Sequence, residues 1–281
     1  MSITEIEGPD GMVWPVHGRG AGSMGVAMTE DSHKNLDVPV VTRWSQSANE
    51  PGAKLRKVLF EPTDMELVFV ATDTAQRSVA AVDSEFRRAF DYKRETIVRT
   101  ISPLSGAREL RVVMRESPTK HDRFDMHGTK VTVTKFPVRA GMPFWAGQPE
   151  VAAVKASGGS GTGYLEMHNP TDLPMYPRWV LQAGARWEVP DFDFAGDNRV
   201  VGMPPEYTGH EVSIHTNPVE QMIRIAGWKN AQEAMRGILF DNVVPAHTPP
   251  TLVPVSWRNN TGSPVASVFM DRFWTRPWGM E

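Results

Sequence analysis

Apolar side chains in this chain recur at every second position. Met65, Leu67 and Phe69 face one way with Glu66 and Val68 opposed, and Leu110, Val112 and Met114 alternate with Arg111, Val113 and Arg115. Period two puts successive side chains on opposite faces of an extended backbone, so these runs read as half-buried strands. The same reading marks residues 38–44, 96–101, 129–138, 164–168, 176–182, 198–203, 211–215, 222–226, 252–257 and 265–274 as strands. Among them are scattered 23 Gly and 23 Pro, which make turns and interrupt helices. A mainly β chain, paired antiparallel through short turns, follows.

One run in the first half departs from this pattern. Val79, Val82, Phe86 and Phe90 recur at spacings of three and four, which predicts a helix over 78–92 with Ser78 as its N-cap. Its opposite face holds Asp83, Arg87, Asp91 and Arg94, so the helix is expected to lie on a sheet. A weaker helical candidate spans 230–240. Residues 157–163 contain four Gly in seven positions and read as a loop or flexible linker. The strand pattern gives way near 147, and the expected division is an N-terminal β-domain, 1–147, with one packed helix, and a C-terminal β-sandwich, 148–281.

A length of 281 residues suits one large domain or two smaller ones. The net charge of -3 gives no electrostatic drive toward nucleic acid or an anionic membrane. The absence of cysteine removes disulfides, thiolate metal sites and cysteine nucleophiles together. The acidic, turn-rich start lacks the basic and apolar stretches of an export signal. The longest uncharged run, 242–257, contains Pro245, Pro249, Pro250 and Pro254 and is no membrane helix; the chain reads as soluble.

Chemistry-bearing patterns are weak. The glycines of 158–163 lack the Lys and Ser/Thr that follow a phosphate-cradling loop. His121, Asp122, Asp125 and His127 could ligate zinc, but stand in a polar stretch that reads as a hairpin loop. Asp191, Asp193 and Asp197 are spaced like calcium ligands without the glycine and closing glutamate of an EF-hand. No G-x-S-x-G nucleophile elbow is present. No catalytic residue, cofactor or metal ion is predicted. Nine Trp against four Tyr leave a question of which indoles are core and which are contact surface.

Five segments, in order, carry a resemblance. They are G-P-D-G-x-x-W from Gly8 to Trp14, F-R-x-A-F-D from Phe86 to Asp91, and R-x-G-x-P-x-W from Arg139 to Trp145. N-x-x-D-x-P-x-Y-P-R-W from Asn169 to Trp179 and T-R-P-W-G from Thr275 to Gly279 follow. Together they resemble the distal tail proteins of long-tailed bacteriophages, among the minor tail proteins of phages infecting actinobacteria, over essentially the whole chain.

The resemblance implies a non-enzymatic virion subunit. Its N-terminal β-domain would form a homo-oligomeric ring, a hexamer, and a galectin-like C-terminal β-sandwich would project from it. Implied partners are the major tail tube protein, the tail-tip hub and other minor tail proteins, with DNA only in transit through the lumen and no membrane insertion. The implied place is the distal end of the virion tail, after synthesis in the host cytoplasm. Candidate interface residues are Trp14, Trp274, Arg276 and Trp278, with Gly18, Gly20, Gly22 and Gly25 of a segment able to lie extended against a neighbour. The alternative is a carbohydrate-binding adhesin whose Trp179, Trp187 or Trp228 stacks on sugar rings.

Overall fold

The computed structural model describes residues 2–33, 36–46, 51–120, 128–228 and 231–280. The chain forms two compact units, Met1–Gly147 with Trp274–Met280, and Gln148–Phe273. Its described part is mainly β, with one α-helix.

The first unit contains β1 (Ile3–Glu7), β2 (Val13–His17), β3 (Val26–Met28), β4 (Val40–Ser45), β5 (Lys54–Phe60), β6 (Thr63–Thr72), helix α1 (Val79–Phe86), β7 (Thr96–Ser102), β8 (Gly106–Met114), β9 (Thr119–Lys120), β10 (Val131–Ala140) and β11 (Trp145–Ala146). Its main sheet runs β2-β1-β7-β8-β10-β6-β3, and β4 and β5 form a two-stranded sheet of their own. Alternation sets the inward faces: Met65, Leu67 and Phe69 of β6 and Leu110, Val112 and Met114 of β8 are all buried. Helix α1 covers them with Val79, Val82 and Phe86. Phe86 meets Trp14 edge-on at 5.2 Å and Phe69 at 4.8 Å, while Phe90 stacks on Phe136 at 4.4 Å. Ser78 caps the helix by accepting from the Ala81 amide at 3.4 Å.

The helix is shorter than its sequence pattern. A 3-10 turn, Arg87–Ala89, follows Phe86, and Asp91 turns the chain away by accepting from the amides of Lys93 and Arg94 at 2.7 and 3.1 Å. Asp83 is not on a solvent face. It is buried, pairs with Arg87 at 2.8 Å and accepts from the Thr134 hydroxyl of β10 at 3.2 Å, pinning helix to sheet.

The second unit is a sandwich. Its strands are β12 (Glu150–Lys155), β13 (Gly161–Asn169), β14 (Arg178–Leu181), β15 (Arg186–Pro190), β16 (Val200–Gly202), β17 (Val212–His215), β18 (Ile223–Ile225), β19 (Thr248–Arg258) and β20 (Val265–Met270). One sheet runs β12-β20-β14-β17-β18 and the other β13-β19-β15-β16. Trp179, Leu181, Ile214 and Val268 from the first share a core with Leu165, Trp187, Val253 and Val255 from the second. The stretch read as weakly helical contains a single 3-10 turn, Ala231–Met235.

Two further differences from the sequence reading have clear causes. Gly161 and Gly163 belong to β13, not to a loop. Side chains there would stand 2.7 Å from the Trp257 ring and 2.2 Å from Val154, so glycine lets neighbouring side chains lie close on the strand. Residues 274–280 rejoin the first unit, where β21 (Phe273–Trp274) pairs with β11 and the Val38 amide donates to the Thr275 carbonyl at 3.0 Å.

Candidate assembly interface

The β4–β5 arm leaves most of its apolar surface uncovered, although Phe60 meets Phe144 edge-on at 5.2 Å. Cross-strand partners share a face of a sheet, and the register pairs Val40 with Phe60, Thr42 with Val58 and Trp44 with Leu55. All six are exposed, Trp44 by 59% and Leu55 by 49%. The reverse face pairs Val41 with Leu59, Arg43 with Lys57 and Ser45 with Lys54. Four cations, Arg43, Lys54, Arg56 and Lys57, therefore lie on the two strands, without a carboxylate among the described residues. Two strands alone are marginal in water, and an open apolar sheet face of this kind marks a contact surface.

Sequence alternation missed this surface because of one residue. The register slips between Arg43 and Trp44, opposite Arg56, and this β-bulge brings Leu55 onto the face of Val58 and Phe60 despite its odd spacing. The usable signal was the apolar residues of 55–60 in a stretch whose only charges are positive.

The C-terminal segment is held at the root of the same unit. Arg108, fully buried on β8, donates from Nη1 to the carbonyls of Arg276 and Gly279, each at 2.9 Å. Its guanidinium lies 4.0 Å over the Trp274 ring. Arg276 reaches Asp37 at 3.2 Å. With Leu36, Pro39, Thr63, Asp64 and Trp278, these two line a groove of about 570 Å³, in which the buried Thr63 hydroxyl has no hydrogen-bond partner. Asp64 at its edge is held at a pKa of about 2 by hydrogen bonds from Arg139 and Arg115.

The predicted contact residues divide sharply. Trp14 and Trp274 are core, 1% and 6% exposed within a single chain, so neither presents a face to a neighbour. Trp278 is 39% exposed, and Arg276 lies beside it in the groove. Gly18, Gly20, Gly22 and Gly25 do not run extended. All four have positive φ, from 76° to 90°, and fold the segment into successive turns in which Ala21, Ser23 and Gly25 donate to the carbonyls of Gly18, Gly20 and Gly22. The structure places none of the three proposed sugar-stacking residues as an open platform. Trp179 and Trp187 are buried, and the half-buried Trp228 packs edge-on against Tyr207 and His210.

The ion-ligand candidates are spent internally or fall elsewhere. Asp193 accepts from the amides of Ala195, Gly196 and Asp197, which closes its own turn. Asp191, raised in pKa by burial, pairs with Arg199 at 3.1 Å and accepts from the Asp241 and Asn242 amides. His121, Asp122, Asp125 and His127 lie outside the described residues. Among the described residues, no cluster of three or more His, Asp or Glu could hold a metal ion, and no helix is long and apolar enough to cross a membrane.

This two-unit β fold is similar to that of a solved phage tail hub protein. Over 97% of this chain and 99% of the other, it superposes on the crystal structure of the Dit protein of phage SPP1, described as a paradigm of the hub adsorption apparatus in phages that infect Gram-positive bacteria, with a TM-score of 0.60 at 9% identity. No family model matches the chain. By sequence it is 24% identical to the minor tail protein Gp27 of Mycobacterium phage L5 and 24% identical to Gp27 of Mycobacterium phage D29, each over 100% of this chain and 99% of the relative.

Proposed function

We infer that the chain is a structural, non-enzymatic subunit of a phage tail tip, in which the first unit assembles with copies of itself into a ring, a hexamer, and the sandwich projects from it. The observation that carries this reading is the arm, whose apolar face pairs Val40, Thr42 and Trp44 with Phe60, Val58 and Leu55 and lies open to solvent. A second copy covering that face would remove the exposed apolar area from water. The full-length relatives named minor tail proteins and the tail-hub fold support the same assignment. The ring would join the tail tube protein to the tip hub and its minor tail proteins at the distal end of the virion tail, and let DNA pass through its lumen.

The chain's lack of cysteine allows a direct test. A single Val58→Cys substitution carrying a photo-crosslinker is expected to give ladders of linked chains on illumination, ending at six. Crosslinks confined to a single chain, at concentrations where the tail assembles, contradict the reading.

A further inference from the structure

The exposed face of the five-stranded sandwich sheet holds a second feature, distinct from the arm. A pocket of about 220 Å³ opens over β14, β17 and β18, lined by Arg178, Ser213, His215, Gln221 and Arg224 together with Val180. Register explains the grouping. Arg178 is paired with His215, Val180 with Ser213, and Ser213 with Arg224, so these side chains rise from the same face while Trp179 and Ile214 between them turn into the core.

Each polar group around this pocket can donate: two guanidiniums, an amide, a hydroxyl and an imidazole. No carboxylate lines it among the described residues. Arg178 is held in place by Asp271, which takes Nε and Nη2 at 2.5 and 2.8 Å and leaves Nη1. Arg224 is tethered by a long contact of 3.4 Å to Glu220, an exposed pair that contributes little. The Nδ1 atom of His215 is buried and has no hydrogen-bond partner among the described residues.

We propose that this pocket binds a small oxyanion, the phosphate or carboxylate group of an acidic sugar. Asp271 and Glu220 each engage one arginine from outside the lining, and the donors left over, Nη1 of Arg178, the weakly tethered Arg224, the Ser213 hydroxyl and the Gln221 amide, suit an acceptor-rich, negatively charged group. The space is below the roughly 300–1,000 Å³ of pockets that enclose drug-sized molecules, which limits the ligand to about one sugar unit with its acidic group. Burial lowers the His215 pKa, and the site's permanent positive charges are those of the arginines. The site shares no residue with the arm; of the predicted stacking tryptophans, Trp179 lies beneath it with its indole in the core and Trp187 and Trp228 do not line it, and it stands or falls independently of ring assembly.

The test is calorimetric titration of the full chain with inorganic phosphate, glucuronate and glucose. Saturable binding of phosphate or glucuronate but not of glucose is expected. Binding of phosphate alone assigns a sugar phosphate, and binding of glucuronate alone assigns a uronic acid. Arg224→Gln, at an exposed position, is expected to lower affinity about tenfold or more with an unchanged melting temperature, and His215→Ala to lower it similarly. No saturable binding of either anion, glucose binding as tight as glucuronate, or anion affinity unchanged in both variants overturns the proposal.

Discussion

Gly147 stands where the Trp274 indole passes, and a methyl group there would lie 2.4 Å from the ring. The ring has little room to move, because Arg108 lies over it and is tied to two tail carbonyls. Gly147→Ala is therefore expected to destabilise the first unit by about 1–3 kcal/mol, the usual range for overpacking, seen as a lower melting temperature. Arg108→Met should destabilise it as well, since it removes two charge-assisted hydrogen bonds to tail carbonyls, each worth roughly 1.5–3 kcal/mol; limited proteolysis should then release the C-terminal segment first. Asp64 gives a pH prediction. Its folded pKa of about 2 lies below the ordinary value of 3.8, so its pairing with Arg139 and Arg115 stabilises the fold fully above that value and is lost as pH falls toward about 2. The melting temperature of Asp64→Asn should sit below the wild type at neutral pH, and the gap should close on acidification.

At the scale of elements, the arm is the part whose chemistry its own unit does not satisfy. Charging its apolar face with Val58→Asp and Leu55→Asp should leave the fold of the single chain intact by circular dichroism, because neither side chain belongs to the core, while sedimentation shifts toward the monomer. Alternation made β6, β8 and β10 legible because each has one buried face. It failed at β5 for the opposite reason, since a bulge breaks the period and no core of its own chain imposes one. Helix α1 was legible through Val79, Val82 and Phe86. Its end was not, because Phe90 keeps the apolar spacing from an extended backbone, and Asp83 looked solvent-facing until β10 supplied Thr134. The ordered motifs near Asn169 and Thr275 turn out to be loop ties and core: the Asn169 amide donates to the carbonyls of Leu173 and Pro245 at 2.8 and 2.9 Å, and Trp274 is buried. Of the residues named from the sequence as candidate contacts, Trp278 and Arg276 remain exposed. Trp44 and its neighbours emerged from register and exposure, which local periodicity does not encode.

For the whole molecule, the nine tryptophans resolve the question that composition raised. Trp14, Trp145, Trp179, Trp187, Trp257 and Trp274 are buried, Trp228 is half-buried, and Trp44 and Trp278 are exposed. The two exposed indoles lie on the arm and at the groove of the first unit, the unit proposed to form the ring, so the large aromatic surface left uncovered within one chain is expected to be covered between chains. The central claim is that the arm holds copies of this chain in a closed ring. Native mass spectrometry of the intact wild-type chain beside the Val58→Asp, Leu55→Asp variant tests it most directly. A wild-type mass of six chains that collapses to one chain in the variant is the expected result, whereas a wild-type chain that stays monomeric at high concentration, or a variant that assembles as well as the wild type, contradicts it.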